Sequence, residues 1–196
     1  MQIPQQKLII KQVIEPVEIF TEFETANKYE VLDENKSILY YAYEESNFLL
    51  KQIFGTRRPL QIKIIDKDKK TQLVLEKPFY FLRANYTVRD SEGKIIAYIK
   101  QKRWFMHHIS FDVYDYNNQL LFICSAKLPH PWTFNVLIHQ ENAARILKKW
   151  SGIGRETFTD ADTFLIEFDR ITDLNLKQIL LATAFAIDLR VFERKK

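Results

Sequence analysis

The stretch L-K-Q-I-L-L-A-T-A-F-A-I-D-L-R-V-F, from Leu176 to Phe192, decides the fold of this 196-residue chain. Its apolar residues point in every direction around a helix, which leaves no face suited to water. The uncharged run from Gln178 to Ile187 is ten residues long, whereas a membrane-spanning helix needs roughly 20 mostly apolar residues. The sequence therefore predicts a helix over about 175–193 that is buried within the protein. The alternative is a thin or tilted membrane span with Lys177 and Arg190 at the two interfaces.

The chain before this helix is typical of antiparallel β-hairpins. Polar turn sequences, such as those at 33–36, 66–69, 91–94 and 117–118, separate runs that are rich in Val, Ile, Tyr, Phe and Trp. A short helix is predicted over 46–54, with Ser46 as its N-cap and Gly55 at its end. Strands are predicted at 28–32, 37–43, 60–65, 72–76, 86–89, 95–100, 109–114, 120–125, 134–139 and 144–150, and the alternation at 164–168 has the period of a strand.

Roughly a dozen hairpin strands must hide their edges, and closure into a barrel does so. Side chains alone cannot fill the interior of so large a barrel. The all-round apolar helix is a suitable filler, so the two features explain each other. We predict a mainly β fold in which a closed antiparallel β-barrel of about 12 strands surrounds a central hydrophobic C-terminal α-helix. Because no Ser-, Gly- or Pro-rich linker interrupts the chain, we expect a single domain over residues 1–196.

Charge and cysteine content restrict the function. The net charge is +4 and is uneven: nine acidic and four basic residues precede position 47, whereas 25 basic and 16 acidic residues follow. Lipid headgroups, phosphoinositides and nucleic acid are therefore candidate partners, and an ordinary solvated basic surface is the alternative. The single cysteine excludes an intrachain disulfide, and the first residues lack the features of a secretory signal. We expect a cytoplasmic or peripheral membrane protein.

Several separate motifs together resemble one known family. They are F-E-T-A-N-K-Y-E-V at 23–31, R-P-L-Q-I-K-I-I-D at 58–66, K-K-W-S-G-I-G-R-E-T-F-T-D-A-D-T-F at 148–164 and F-A-I-D-L-R-V-F-E at 185–193. In this order they resemble the phospholipid scramblase family. The resemblance covers about Lys7 to Glu193 and implies a tubby-like barrel around a central helix. It also implies calcium-dependent movement of phospholipids between leaflets, or regulation in association with membranes and DNA, without covalent catalysis.

The family's calcium segment corresponds to D-A-D-T-F-L-I-E-F-D-R-I at 160–171. Asp160 and Asp162 match the first two ligand positions of a calcium loop, but hydrophobic residues occupy the next ligand positions. In one interpretation, these two aspartates cap a turn that precedes a strand. In the other they form a weak Ca²⁺ site with acidic residues that follow them. The candidate calcium ligands are Asp160, Asp162, Glu167 and Asp169, with Asp173 as a further possibility.

Basic residues near position 150 are the candidate site for lipids and other anions. The segment around Lys148 is similar to a nuclear-import signal of the family, and the alternative is a strand with exposed lysines beside a buried tryptophan. The candidate anion-binding residues are Arg145, Lys148, Lys149, Trp150 and Arg155. Competing patches are Lys63, Lys67, Lys69 and Lys70, and Lys100, Lys102 and Arg103.

Asp188 interrupts the apolar helix and has two interpretations. It is either a polar group on a lipid path or a carboxylate near the mouth of the barrel, paired with Arg190 or with a donor on a strand. The sequence contains no G-x-S-x-G, H-E-x-x-H or P-loop motif, and its four histidines lack zinc spacing. We therefore predict a non-enzymatic protein that binds anionic phospholipids. The alternative is a soluble regulatory module that binds phosphoinositide or nucleic acid through a basic face.

Overall fold

The computed structural model describes residues 1–13, 18–20, 27–102, 108–127, 132–149 and 163–192, except for the side chains of Phe48 and Lys149. Over these residues the chain forms one closed, antiparallel barrel of twelve strands, in the ring order β1-β12-β11-β10-β9-β8-β7-β6-β5-β4-β3-β2. The strands are β1 (Lys7–Val13), β2 (Lys28–Leu32), β3 (Ile38–Glu45), β4 (Leu60–Ile65), β5 (Thr71–Lys77), β6 (Asn85–Asp90), β7 (Ile95–Gln101), β8 (His108–Asp115), β9 (Leu120–Lys127), β10 (Thr133–Ile138), β11 (Glu141–Lys149) and β12 (Thr163–Glu167).

Two helices accompany the barrel. Helix α1 (Phe48–Phe54) lies between β3 and β4, and α2 (Leu174–Ile187) follows β12 and continues as a π-helical turn (Asp188–Phe192). Short 3₁₀ turns occupy Glu18–Phe20 and Gly55–Arg57. The predicted fold class is therefore confirmed.

The ring closes through β1, which sequence analysis did not predict. Strand β1 pairs with β12 in the register Leu8↔Ile166 and with β2 in the register Ile10↔Val31. In K-L-I-I-K-Q-V only Leu8 and Ile10 are buried, so the hydrophobic alternation is too short to stand out. The strand predicted from the alternation at 164–168 is confirmed as β12.

Four hairpins at one end of the barrel share one turn. In each, an aspartate Oδ1 accepts hydrogen bonds from the backbone N–H groups two and four residues later, at 2.8–2.9 Å. The residue three positions after the aspartate has a positive φ, a conformation typical of such turns. The four aspartates are Asp33, Asp66, Asp90 and Asp115, and the positive-φ residues are Lys36, Lys69, Gly93 and Asn118. We call this end of the barrel the hairpin end.

The longer connections collect at the opposite end, which we call the loop end. Because neighbouring strands are antiparallel, the connection with α1, the β5–β6 connection at 78–84 and the connection from β11 to β12 all join strands there. The predicted short helix is confirmed as α1, and Gly55 is its C-cap. The predicted N-cap was wrong: Asn47 is the cap, since its Oδ1 accepts from the backbone N–H of Leu49 at 2.9 Å. The Ser46 side chain instead hydrogen-bonds Glu44.

Helix α2 enters the barrel at the hairpin end and runs through its interior to the loop end. Asp173 caps its start by accepting from the Leu176 N–H at 2.8 Å. Every residue from Lys177 to Ile187 is buried, and the helix packs against β5, β6, β7 and β12. The Tyr86 hydroxyl on β6 donates to the carbonyl of Ala186 at 3.2 Å. The prediction of a helix buried in protein is confirmed.

The first residues of the chain cover the point where α2 enters. Lys177 Nζ donates to the carbonyl of Gln5 at 2.6 Å, and Gln178 Nε2 donates to the carbonyl of Met1 at 2.8 Å. Burial lowers the pKa of Lys177, whose ammonium lies 5.0 Å from the Phe168 ring centroid. The polar residues at the start of α2 are therefore bound by protein groups. In the described ranges, no helix combines the length and hydrophobicity needed to cross a bilayer.

Candidate functional site

Asp188 lies at the mouth of the barrel, where α2 reaches the loop end. Its carboxylate accepts a hydrogen bond from the Tyr29 hydroxyl at 2.8 Å and lies 3.3 Å from Lys148 Nζ. Lys148 is only 7% exposed, and its ammonium lies 4.1 Å from the Phe192 ring centroid. The two charges satisfy each other under an aromatic cover, which is how a buried ion pair is stabilised. These contacts correspond to the second interpretation of Asp188, with donors on β2 and β11.

Arg145 and Lys148, the two predicted anion-binding residues whose side chains the structure describes, do not share a face. Arg145 is exposed on the outside of β11, whereas Lys148 points inward, because adjacent side chains of a strand face opposite ways. Arg145 pairs with Glu167 at 3.0 Å and with Asp169 at 3.5 Å. Lys149 is the last residue of β11. Its side chain, Trp150 and Arg155 lie outside the part that the structure describes.

The described carboxylates of the candidate calcium site have other partners. Glu167 binds Arg145 and lies 3.4 Å from Lys7, Asp169 also pairs with Arg145, and Asp173 caps α2. No three His, Cys, Asp or Glu residues within the described ranges come together as metal ligands. In this structure Glu167 and Asp169 are thus engaged in ion pairs and Asp173 in a helix cap. Asp160 and Asp162 lie outside the described residues.

The competing basic patches are separated along the barrel. Lys67, Lys69 and Lys70 lie in or beside the β4–β5 turn at the hairpin end, whereas Lys102 lies at the loop end. Lys63 pairs with Glu45 at 2.6 Å. Lys100 lies 4.6 Å from the Tyr114 ring centroid, and Arg103 lies outside the described ranges. Lys102 follows the end of β7 at the loop end, where its ammonium lies 2.9 Å from the Asp112 carboxylate.

Further exposed cations surround the loop end: Lys51 on α1, Arg57 after it, Arg83 before β6 and Lys127 at the end of β9. The hydrogen bond and the charge of Asp112 raise the pKa of Lys102, and the Arg83 charge acts in the opposite direction. Arg83 and Lys102 are therefore close enough to repel each other. We call Lys51, Arg57, Arg83, Lys102 and Lys127 the loop-end cations.

A buried ion pair holds the α1 connection against the barrel. The Arg58 guanidinium binds the Glu44 carboxylate and donates to the carbonyl of Gly55 at 2.9 Å. Asn27 also donates to Glu44, at 2.6 Å, and Lys77 Nζ donates to the carbonyl of Thr56 at 2.7 Å. Beside these contacts, a groove of about 560 Å³ is bordered by α1, β4 and the end of β5. The connection is therefore fixed in place.

Comparison with known proteins assigns the family. The family model described as Scramblase matches residues 2–194. The chain belongs to the scramblase family. No solved structure matches it significantly.

Curated relatives align with nearly all of this scramblase-family chain. Phospholipid scramblase 2 of Homo sapiens is 29% identical over 206 residues, covering 96% of this chain and 68% of the relative. Phospholipid scramblase 1 of Mus musculus is 29% identical over 202 residues, covering 96% of this chain and 61% of the relative. Phospholipid scramblase 4 of Mus musculus is 22% identical, covering 94% of this chain and 61% of the relative. The chain thus spans about two thirds of the length of these relatives.

Most of the loop-end cations of this scramblase-family chain do not form a motif in the sequence. Lys51, Arg57, Arg83 and Lys127 come from three different connections, so no short window of sequence contains them together. The available signal was the absence of acidic residues from 48–59 and from 78–85. Both segments carry arginine among apolar residues, and barrel topology brings their ends to the same side of the molecule.

Proposed function

We propose that this scramblase-family chain binds anionic phospholipids at a membrane surface through its loop end. The observation that carries the proposal is the match of the family model over residues 2–194, together with relatives named phospholipid scramblase. The matched region includes the whole barrel and α2. Lipid binding requires no covalent chemistry, so no catalytic side chains are assigned.

The charge distribution supports the loop end as the binding surface. The loop-end cations are exposed and come from connections at one end of the barrel. Each Lys or Arg held near an anionic membrane contributes about 1 kcal/mol to binding. The turns of the hairpin end mix acidic residues such as Asp33 and Asp90 with the lysines of the β4–β5 turn. The loop-end segments 48–59 and 78–85 contain no acidic residue, which favours contact of the loop end with a negative surface.

Vesicle binding tests this proposal. Sedimentation with phosphatidylserine-containing vesicles should increase with the anionic fraction and decrease with salt. The double variant Arg57→Gln plus Arg83→Gln should bind about tenfold or more weakly. The matched control Lys67→Gln plus Lys70→Gln, which removes the same charge from the hairpin end, should bind like wild type. Equal binding to neutral and anionic vesicles would contradict the proposal.

Movement of phospholipids between leaflets is a further proposal that rests on the names of the relatives. The interior of the barrel is filled by α2, whose residues from Ile179 to Ile187 are apolar except for Thr183. A headgroup has no polar path along such a helix. We infer that an isolated monomer binds membranes but moves lipids slowly unless it assembles or opens.

Calcium binding is a separate proposal centred on Asp160 and Asp162. Glu167 and Asp169 would have to exchange their ion pairs with Arg145 for the metal. Such a site should be weak, with a Kd on the order of 10⁻⁴–10⁻³ M. Calorimetric titration with Ca²⁺ of wild type and of the double variant Asp160→Asn plus Asp162→Asn measures this Kd. A micromolar Kd for wild type would contradict the weak-site argument.

The alternative function is a regulatory module whose basic face binds phosphoinositide or nucleic acid. The excess of basic over acidic residues after position 46 favours any polyanion. Competition distinguishes the ligands: duplex DNA should displace the protein from phosphatidylserine vesicles only if it occupies the same cations. Nuclear entry through Lys148, Lys149 and Trp150 stays a prediction, and the buried Lys148 would have to leave Asp188 to contact a receptor.

A further inference from the structure

The loop end exposes a group of large apolar side chains. Leu49 and Ile53 are 65% and 70% exposed on α1, and Phe81 and Leu82 are 75% and 86% exposed on the β5–β6 connection. Phe54 and Phe79, at 40% and 39%, lie between them. We call these six residues the apolar tip: Leu49, Ile53, Phe54, Phe79, Phe81 and Leu82.

The apolar tip is continuous across two connections. The ring centroids of Phe54 and Phe79 are 5.0 Å apart, and those of Phe79 and Phe81 are 5.2 Å apart. Leu49 and Ile53 are four residues apart on α1 and therefore share a face of the helix. A contiguous group of exposed apolar side chains is typical of a site of interaction with protein or membrane.

The surrounding structure holds the apolar tip outward. Tyr80, between Phe79 and Phe81, is buried, and its ring centroid lies 5.8 Å from the Arg190 guanidinium of the π-helical turn. The bonds from Arg58 to Gly55 and from Lys77 to Thr56 fix the segment that follows α1. The apolar side chains are thus held exposed before any partner binds. Binding therefore costs little free energy for ordering these two connections.

Charge identifies the partner. The segments 48–59 and 78–85 contain no acidic residue, and Lys51, Arg57 and Arg83 are exposed within them. Two copies of the chain that met at this surface in a symmetric dimer would bring these cations together. An anionic bilayer instead receives apolar side chains below its headgroups and cations among its phosphates.

Shape favours the same partner. Side chains that are 65–86% exposed project from the molecule and do not line a groove that would hold a peptide. Aromatic side chains flanked by basic residues are typical of the membrane interface. These features suit insertion into a fluid surface, which adapts to projecting groups.

We propose that the apolar tip inserts into the headgroup–acyl boundary of an anionic bilayer and so fixes the barrel with its loop end toward the membrane. This inference rests on the proposed function, because it specifies how the same end of the molecule contacts lipid. Insertion of an apolar face to a depth of about 5–10 Å leaves the barrel above the membrane. The hairpin end then faces the solvent.

A single thiol label measures insertion. Cys124 is fully buried, and its burial raises the pKa of its thiol, so it does not compete for a label under native conditions. In Leu82→Cys, an attached environment-sensitive fluorophore should shift to shorter wavelength when phosphatidylserine vesicles are added. The same label on Asn117→Cys, at the hairpin end, should not shift.

Substitution of exposed apolar side chains in the apolar tip tests how much they contribute to membrane affinity. The variant Phe81→Ser plus Leu82→Ser should keep the wild-type Tm, because both side chains are exposed, yet bind anionic vesicles about tenfold or more weakly. The matched control Leu120→Ser removes a side chain that is 52% exposed at the hairpin end, and should bind like wild type. The loss at the apolar tip should persist in high salt, which screens the loop-end cations.

The outcomes separate this inference from the proposed function. Anionic vesicle binding without a fluorescence shift at position 82 would overturn insertion and leave lipid binding intact. An equal shift on neutral vesicles would overturn the assigned role of the cations in insertion. A shift that appears with rising protein concentration and no vesicles would assign the tip to self-association instead. Failure to bind any vesicle would overturn the proposed function and this inference together.

Discussion

Glu44 shows how a single buried residue controls the loop end. Burial by itself raises the pKa of this carboxyl, but hydrogen bonds from Ser46, Arg58 and Asn27, together with the Arg58 charge, hold it below its usual value. The folded chain therefore favours the charged form, and protonation of Glu44 opposes folding. Because Arg58 also binds Gly55, this carboxylate fixes the connection that carries half of the apolar tip.

Replacement of Glu44 by Gln should reduce the free energy of unfolding by about 3–5 kcal/mol at pH 7, since the buried Arg58 loses its counter-charge. The lowered pKa means that the contribution of the carboxylate is complete above the unfolded value of about 4.3 and is lost as the pH falls through the folded value. The difference between wild type and Glu44→Gln should thus narrow below about pH 4 in urea unfolding experiments. A difference that stays constant with pH would contradict the role of the charge.

At the scale of an element, α2 is the core of the barrel. Ala184 is 1% exposed, so Ala184→Lys places an unpaired charge among apolar residues at a cost of several kcal/mol. The variant should fail to fold, as judged by loss of the cooperative thermal transition. The matched control Leu174→Lys changes a residue that is 41% exposed at the start of the same helix, and should retain the transition. A cooperative, stable Ala184→Lys variant would mean that α2 is not packed as described.

Elements with strong local signals were predicted correctly from sequence. The polar turn sequences and the hydrophobic alternations between them located most strands, and the all-round apolarity of α2 located the core. Strand β1 was missed because Leu8 and Ile10 give too short an alternation. The N-cap of α1 was placed one residue early because Ser46 and Asn47 are both suitable caps, and the choice depends on the tertiary contact of Ser46 with Glu44.

For the whole molecule, the closed barrel restricts lipid movement. We expect purified monomer reconstituted into vesicles to expose labelled lipid to dithionite slowly, because α2 leaves no polar path through the interior. Calcium should have little effect below millimolar concentration. The comparison is wild type against Asp160→Ala plus Asp162→Ala. Fast calcium-dependent scrambling that the double variant abolishes would contradict both the weak-site and the closed-barrel arguments.

The candidate site was less predictable than the fold. Its residues come from separate connections, and only the strand order and direction show which connections lie at the same end of the barrel. Sequence grouped Arg145 with Lys148 by proximity along the chain, but strand alternation places them on opposite faces. Conversely, Arg57 and Arg83 are distant in sequence and lie at the same end of the barrel. The exposure of Phe81 and Leu82 was not predicted, since an apolar run between strands is typical of a core until the positions of the strand ends are known.

The position of α2 after all twelve strands has a consequence for biosynthesis. A ribosome releases every strand before the segment that fills the barrel. Pairing of β1 with β12 also joins residues far apart in the chain, and such non-local pairing is slow. Until α2 emerges, the nascent strands carry inward apolar faces that have nothing to pack against, a condition that favours aggregation. The newly made chain should therefore depend on chaperones for longer than a protein whose core is synthesised first.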